Sequence, residues 1–350
     1  MSANHLAAAQ LQRQRNGPAI RALSYHELDE GETDDARMVA LLKDIAEDGA
    51  FSGRHVVLSI PVKHLSIFPI VIQVGKQETL EDAILRESEK YLPFPIEEAV
   101  IDYPCLTRES DGDPDRYKTT IVAARQSMIG NYLTLLNRAG FVVGAVDFAV
   151  SALLRLHQSF YTMTENPVIL CHIGPVRSLI AAVTGDSIII QSDVAWGSRQ
   201  LVGRILSDIG LSNDRGSAYV LLKKYGVGFE GAPAGSVGTD SGGETADVGK
   251  TISRILVPYI DEIQYELHKI ISYVRSEKQN PVFDGLFLYG HASHIHHLDR
   301  YLEKRMDMPA TLVDPLAAMT NDRNQFPRND SAEGTFALAL GLAIRRISWL

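Results

Sequence analysis

The sequence predicts a mixed α/β protein with more than one domain. Short runs rich in valine and isoleucine alternate with helical patterns along most of its 350 residues. That length is sufficient for two or more domains, each with its own core. Hydrophobic residues make up 45% and charged residues 22% of the chain, which is typical of globular proteins.

The composition excludes several classes of protein. A net charge of -9 argues against a general nucleic-acid binder, which needs a basic face. No apolar run is long enough to span a bilayer, and the first residues lack a hydrophobic signal core. We therefore expect a cytoplasmic protein that meets a membrane only through a partner. Cys105 and Cys171 lie in apolar, strand-like runs, which predicts buried free thiols.

Residues 1–52 predict one amphipathic helix after an irregular start. A segment rich in Gln, Arg and Ala over 6–15 predicts a short helix or a disordered tail, and 20–25 predicts a strand. Thr33 or Asp34 is positioned to cap the next helix. Apolar residues at helical spacing carry that helix to about residue 48, namely Met38, Leu41, Leu42 and Ile45.

Residues 53–147 predict a compact α+β unit. The predicted strands are 55–60, 65–74, 100–106, 117–124 and 142–146, and the predicted helices are 80–91 and 127–139. Pro93 and Pro95 end the first of these helices, because proline lacks the backbone N–H and biases the preceding residue towards extended geometry.

Residues 148–350 predict a strand meander followed mainly by helices. The predicted strands are 168–172, 178–183, 187–192 and 283–289, and the predicted helices are 197–209, 214–225, 252–271, 293–305 and 335–347. Pro258 predicts a kink or local break in the longest helix. Residues 226–249 are rich in Gly, Ser, Ala and acidic residues, which predicts a flexible loop.

The run from Glu87 to Tyr103, Glu-Ser-Glu-Lys-Tyr-Leu-Pro-Phe-Pro-Ile-Glu-Glu-Ala-Val-Ile-Asp-Tyr, resembles the signature of the PilM family. This family comprises actin-like components of type IV pilus assembly. The runs 123–125 and 138–147 also resemble the family, and the likeness extends over about 53–346. The resemblance implies a two-lobed, actin-like (ribonuclease H-like) ATPase fold. Its divisions are a partial first subdomain over 1–52, an inserted protein-interaction subdomain over 53–147, and the remaining core over 148–350.

The same resemblance implies an ATP site, but the motifs are degenerate. No Asp-x-Gly turn occurs in residues 1–25, so either this turn is lost or the chain starts beyond it. Elsewhere His172, Tyr219, Tyr265 and His291 stand where the family has Asp, Glu, Arg and Gly. The retained positions, our candidates for cofactor binding, are Gly174, Gly197, Ser198, Lys223, Glu262 and Gly290. We predict a lost or weak ATP site, with ATP and Mg²⁺ as the alternative, and assign no catalytic residue.

Two other motifs carry little weight. The run 243–251 has five residues between its glycines where a phosphate loop needs four, and no buried strand precedes it. His291, His294, His296 and His297 are clustered near a helix start, which we interpret as a solvated turn. We assign no metal site.

The resulting hypothesis is a scaffold in a pilus assembly machine. The resemblance implies binding to the N-terminal cytoplasmic tail of a PilN-like membrane protein, and contact with other inner-membrane pilus components. Apolar residues near the chain reversal, either peptide contacts or core, are Leu92, Phe94, Ile96 and Tyr103. One alternative is a nucleotide-switched ATPase similar to FtsA, and another is a cytoplasmic component of type II secretion similar to GspL. Bound nucleotide would distinguish the scaffold from the ATPase, and gene neighbourhood would distinguish all three hypotheses.

Overall fold

A computed structural model gives the fold of most of the chain. It describes residues 5–14, 17–28, 34–108, 115–210, 215–228, 244–278, 281–319 and 334–345. The strands are β1 (His5–Gln14), β2 (Gly17–Glu27), β3 (His55–Ile60), β4 (Leu65–Gln73), β5 (Ala99–Asp102), β6 (Leu106–Arg108), β7 (Arg116–Arg125), β8 (Val142–Phe148), β9 (Val168–Ile173), β10 (Ser178–Thr184), β11 (Ser187–Val194), β12 (Gly285–Gly290) and β13 (Ala310–Leu312). The helices are α1 (Asp35–Glu47), α2 (Leu80–Glu89), α3 (Gln126–Arg138), α4 (Ala149–Phe160), α5 (Ser198–Ile209), α6 (Arg215–Tyr225), α7 (Glu244–Glu277), α8 (Leu298–Met306), α9 (Pro315–Met319) and α10 (Ala337–Ala343).

The largest sheet has five strands in the order β11-β10-β9-β12-β13. Its central strand β9 is fully buried, and successive side chains point to opposite faces. Ile169 and Cys171 pack against the side formed by α5, α6, α7 and α8. Leu170 packs against the side that carries α4 and α10. Helices on both faces explain why this strand is an unbroken apolar run.

The first described residues form a strand, so the prediction of a helix or disordered tail over 6–15 was wrong for 6–14, and residue 15 lies outside the described residues. β1 pairs antiparallel with β2, with Leu6 opposite His26 and Leu11 opposite Ile20. Leu6 is buried against α1. Pairing and burial outweigh the helix propensity of Gln, Arg and Ala. The predicted cap of α1 is confirmed, because the Asp34 carboxylate accepts a hydrogen bond from the Arg37 N–H at 2.7 Å.

The unit predicted over 53–147 contains two separate packing groups. β3 and β8 form a parallel pair, and Leu58 and Leu136 pack with α1 at the start of the chain. The other group is a sheet in the order β4-β7-β5, with β6 also paired to β7 and with α2 on one face. This second group spans 65–125, which we propose as the inserted unit. The boundaries 53 and 147 stay predictions.

The helices in the second half differ from the predictions at their ends. α7 begins at Glu244, inside the predicted flexible loop, and residues 229–243 of that loop lie outside the described residues. α7 stays helical through Pro258, so the prediction of a break there was wrong. The predicted helix over 293–305 is a 3-10 turn at His291–His294 followed by α8, because His297 adopts a left-handed conformation with φ 63°. The terminal helix is only the seven residues of α10.

A buried carboxylate ties three elements together. Asp147, 4% exposed at the end of β8, accepts hydrogen bonds from Arg155 and Arg345 at 2.9 and 2.8 Å. Arg155 lies on α4 and also donates to the Gly341 carbonyl in α10 at 2.9 Å. The carboxylate therefore joins β8 to α4 and to the end of α10.

None of the described helices has the length and apolarity needed to cross a bilayer.

We expect Asp147→Ala to lower the free energy of unfolding by about 2–3 kcal/mol, measured by urea denaturation. Breaking a buried pair typically costs about 3–5 kcal/mol, but both guanidiniums here retain access to solvent. The matched control is Asp208→Ala, which removes a surface pair with Arg204 and is expected to stay within about 0.5 kcal/mol of the parent protein. Equal losses of unfolding free energy in the two variants would show that the buried pairs of Asp147 stabilise the fold no more than a surface pair does.

Candidate functional site

Three of the predicted glycines meet where β9, α5 and β12 converge. A Cβ on Gly197 would lie 2.3 Å from the Gly174 carbonyl oxygen, and one on Gly290 would lie 2.3 Å from the Ile173 carbonyl oxygen. Only glycine allows backbones to approach this closely. The residues that the sequence singled out as a phosphate cradle are therefore together, but they are packed against one another.

The N-terminus of α5 has its backbone donors engaged within the protein. Ser198 and Arg199 donate their N–H groups to the carbonyls of Gly174 and Pro175 at 3.0 and 2.9 Å. The Gly197 N–H donates to the Gln200 side chain at 3.0 Å. A helix N-terminus binds phosphate through such N–H groups when they point at the ligand. Here these donors bond to protein atoms.

A buried polar network joins α5 to the segment before α10. Ser198 Oγ is hydrogen-bonded to His291 Nδ1, and His291 Nε2 is hydrogen-bonded to Thr335 Oγ1 at 3.0 Å. The Tyr219 ring stands edge-on to the imidazole at 6.3 Å, and its hydroxyl lies 3.4 Å from Ser198 Oγ. His291 is only 1% exposed. An imidazole thus occupies the turn where the resemblance implies a glycine.

His172 is a neutral, buried side chain between two of the glycines. Burial lowers its pKa to about 4, and its Nε2 has no hydrogen-bond partner among the described residues. A Cβ on Gly290 would lie 3.0 Å from this nitrogen, and one on Gly174 would lie 3.6 Å from His172 Cε1. A neutral imidazole is a poor ligand for Mg²⁺, which prefers oxygen.

The neighbouring thiol of Cys171 is also buried. Burial raises its pKa to about 12, so that thiol is not a nucleophile at neutral pH.

The other predicted cofactor residues are not brought into this cluster. A cavity of about 210 Å³ adjoins Gly174 and His172, and neither Lys223 nor Glu262 is among its lining residues. Lys223 is half-buried on α6, and Glu262 is exposed on α7. Sequence reasoning missed Thr335. It lies 44 positions from its partner His291, so no local pattern signals the contact.

The four predicted peptide contacts fall into two pairs. Leu92 and Tyr103 pack against the core between α2 and its sheet. Phe94 lies under the Arg125 guanidinium, 4.6 Å from ring centroid to carbon, and Ile96 is half-buried. Arg125 also pairs with Glu98. Leu92 and Tyr103 therefore have a packing role, while Phe94 and Ile96 stay candidates for peptide contact.

Sequence reasoning also missed exposed apolar residues on the same unit. Tyr91 is 59% and Val100 43% exposed, although valine is among the residue types most often buried. The sequence signal for Val100 is the alternation in β5, where Val100 points outward and Ile101 points inward.

No group of three or more potential metal ligands occurs among the described residues, and the side chain of His294 lies outside that description.

Comparison with known proteins finds a matching family model and similar solved structures. The chain matches the family model described as type IV pilus assembly protein PilM over residues 16–347. A chain from a solved PilM–PilN type IV pilus biogenesis complex is 21% identical with a TM-score of 0.75, covering 99% of this chain and 97% of that one. The ethanolamine utilization protein EutJ from Carboxydothermus hydrogenoformans is 11% identical with a TM-score of 0.51, covering 98% and 86%. The predicted actin-like α/β fold is confirmed.

We expect no detectable heat when nucleotide-stripped protein is titrated with ATP and Mg²⁺ up to millimolar concentration. The α5 donors are bonded to the protein, and His172, whose burial lowers its pKa to about 4, stands where the resemblance implies a carboxylate for Mg²⁺. Isothermal titration calorimetry makes the measurement. A micromolar Kd, about -8 kcal/mol, would show that the cradle opens and binds nucleotide.

We expect the protein to lose stability as the pH falls from about 6.5 towards 4. The pKa of His172 is 6.5 in its reference state and about 4 when buried, so over this window the unfolded chain binds a proton that the folded chain does not. His172→Leu should reduce the slope of the unfolding free energy against pH, and the reduction should correspond to at most one bound proton. The control is His268→Leu on the exposed face of α7. Identical slopes in the parent and His172→Leu would show that this imidazole is not protected from protonation.

Proposed function

Because the chain belongs to the PilM family of type IV pilus assembly proteins, we propose that it is a scaffold that binds the N-terminal cytoplasmic tail of a PilN-like membrane protein. The match to the family model over 16–347 carries this proposal. The solved complex adds support, since its title pairs a PilM with a PilN. The protein would act in the cytoplasm and be recruited to the inner membrane, beside other pilus components, through that partner.

The outer edge of β5 is the place we propose for the tail. β5 pairs with β7 on one side, and no described strand pairs with its other side. An extended peptide can add to such an edge through main-chain hydrogen bonds, with side-chain pockets giving specificity. Phe94, Ile96 and Val100 lie beside this edge in sequence and present partly or largely exposed apolar surface.

The charge around this edge favours a particular tail. Glu97, Glu98 and Asp102 are exposed on the chain that leads into and forms β5. Cytoplasmic segments next to a membrane span are enriched in Lys and Arg. An apolar stretch flanked by basic residues would therefore complement both the apolar side chains and the acidic rim.

A scaffold without enzymatic activity agrees best with the internal bonding at α5. The buried His291 network and the engaged N–H groups favour a lost or weak nucleotide site. The second candidate is a nucleotide-switched ATPase, which the retained Gly174, Gly197 and Gly290 favour. In that case nucleotide would have to separate glycines that now pack backbone to backbone.

We expect Phe94→Ala to weaken binding of the partner's tail at least ten-fold without lowering the melting temperature. The probe is a synthetic peptide with the N-terminal cytoplasmic sequence of the PilN-like protein from the same genome, measured by calorimetry. Phe94 contacts Arg125 at the surface and is not part of a core cluster, so its truncation should leave the fold intact. Leu92→Ala is the structural comparison, because it should lower the melting temperature by removing core contacts.

The matched control for binding is Val282→Ala, which truncates a side chain that is 69% exposed in another part of the chain. It should bind the peptide like the parent. Full peptide affinity in Phe94→Ala would show that the peptide binds at a place other than β5. No binding by the parent protein at high micromolar peptide would contradict the scaffold proposal itself.

A further inference from the structure

One carboxylate joins the hairpin of β1 and β2 to two helices of the second half of the chain. Glu27 is the last residue of β2. Its Oε2 atom lies 3.3 Å from an Nη atom of Arg199 on α5 and 3.2 Å from an Nη atom of Arg215 on α6. Arg215 is 188 positions away along the chain. We call these three residues the Glu27 latch, because they connect elements that are distant in the sequence.

The two sides of the Glu27 latch belong to different apolar cores. α5 and α6 bury Leu201 and Leu222 in the core on one face of the five-stranded sheet. No described residue of β1 or β2 belongs to that core. The hairpin instead packs with α4 and α10, and Ile20 of β2 lies in that second cluster. The Glu27 latch is therefore an ionic contact between two separately packed parts of the molecule.

The starts of α5 and α6 give an electrostatic reason for a carboxylate at this place. The first turn of each helix contains no acidic residue, and it carries the positive charge of Arg199 in α5 and of Arg215 in α6. A cation is unfavourable at a helix N-terminus, because the positive end of the helix dipole lies there. Glu27 compensates the charge of both helix starts from a different element of the fold.

Partial burial strengthens the attraction within the Glu27 latch. The side chain of Arg199 is 22% exposed and that of Glu27 is 34% exposed. Burial raises the pKa of Tyr25 and of Tyr219, and the nearby Glu27 carboxylate raises the pKa of both further. Both tyrosines therefore stay neutral and add no charge of their own. An isolated surface ion pair contributes little to stability, but a carboxylate that is shared by two cations and shielded from water forms a small network.

The apolar contacts behind the hairpin permit a small movement. Ile20 of β2 packs in one cluster with Leu153 of α4 and Leu340 of α10. Such contacts are non-directional, and packed helices can slide by a small amount without losing them. The ion pairs of the Glu27 latch depend on distance and direction, so they select one arrangement among those that the apolar cluster allows.

We propose that the Glu27 latch holds the β1–β2 hairpin closed against α5 and α6, and that loss of the Glu27 charge or screening by salt lets these two parts move apart. The device consists only of the chain's own residues. It does not depend on the scaffold proposal, since neither a peptide nor a nucleotide takes part in it. It gives a protein with a lost or weak nucleotide site its own means of fixing the closed arrangement.

The test measures distances between two nitroxide labels by double electron–electron resonance on the full 350-residue chain. The labels are attached through Arg21→Cys on β2 and Val220→Cys on α6, two exposed positions on opposite sides of the Glu27 latch. Cys105→Ser removes the half-buried native thiol, and Cys171 is fully buried. We expect one narrow distribution of distances for the labelled parent protein. Glu27→Gln should raise the population at longer distances about three-fold or more.

The matched control is Asp208→Asn in the same labelled protein. Asp208 pairs with Arg204 within α5, so its neutralisation changes the net charge equally and leaves the Glu27 latch intact. It should reproduce the parent distribution. About 1 M NaCl, which reduces the screening length to about 3 Å, should move the parent distribution towards that of Glu27→Gln and leave Glu27→Gln itself unchanged. This salt titration needs no new variant, so the test stays decisive if a substitution impairs folding.

Charge reversal tests whether the attraction between the two sides is the cause. Glu27→Lys alone should separate the labels further, and the addition of Arg199→Glu and Arg215→Glu should restore the parent distribution. Three results would overturn the proposal. The first is the same distribution in Glu27→Gln, in high salt and in the parent. The second is an equal shift in Asp208→Asn, and the third is a shift in Glu27→Lys that charge reversal of the two arginines leaves in place.

Discussion

The contact between glycine backbones in the middle of the molecule determines what the site around it can do. Gly174, Gly197 and Gly290 hold β9, α5 and β12 at distances that no side chain allows, and a Cβ on Gly334 would lie 2.2 Å from the Gly290 carbonyl oxygen. This closeness lets Thr335 reach His291, and it engages the N–H groups at the start of α5. Glycines of the kind that admit a phosphate in an open turn are here packed against neighbouring backbone.

The unpaired sheet edges are the other feature of the described residues that bears on binding. Among the described strands, β1, β3 and β5 each have one side without a strand partner, as do the other strands at the ends of the sheets. The five-stranded sheet is covered by helices on both faces. Unpaired strand edges attract other chains. A protein that uses its edges for recognition needs a rigid support behind them, and the hydrogen bonds around Asp147 supply one by tying β8, the partner of β3, to α4 and α10.

Local patterns predicted most of the secondary structure and the general location of the site. Apolar runs predicted β9 to β11, Pro93 and Pro95 marked the end of α2, and the signature around them identified the family. Predictions that depend on distant partners failed. The segment 6–15 has a helical composition but becomes a strand because β2 pairs with it. The retained glycines were expected near a ligand, and nothing near them in sequence shows that Thr335 and Gly334 complete the packing instead.

The two small sheets extend this argument from residues to topology. A sequence pattern predicts that a segment is a strand, but it does not predict which edges stay unpaired, since each edge depends on every other strand of the fold. In this chain the unpaired edges of β1 and β3 face each other across an apolar space. Buried backbone groups need partners, and the sequence of either strand alone does not show which group satisfies its remaining edge. Gln10 provides one such partner at one end of this space, where its side-chain amide bonds to the backbone of Ser52.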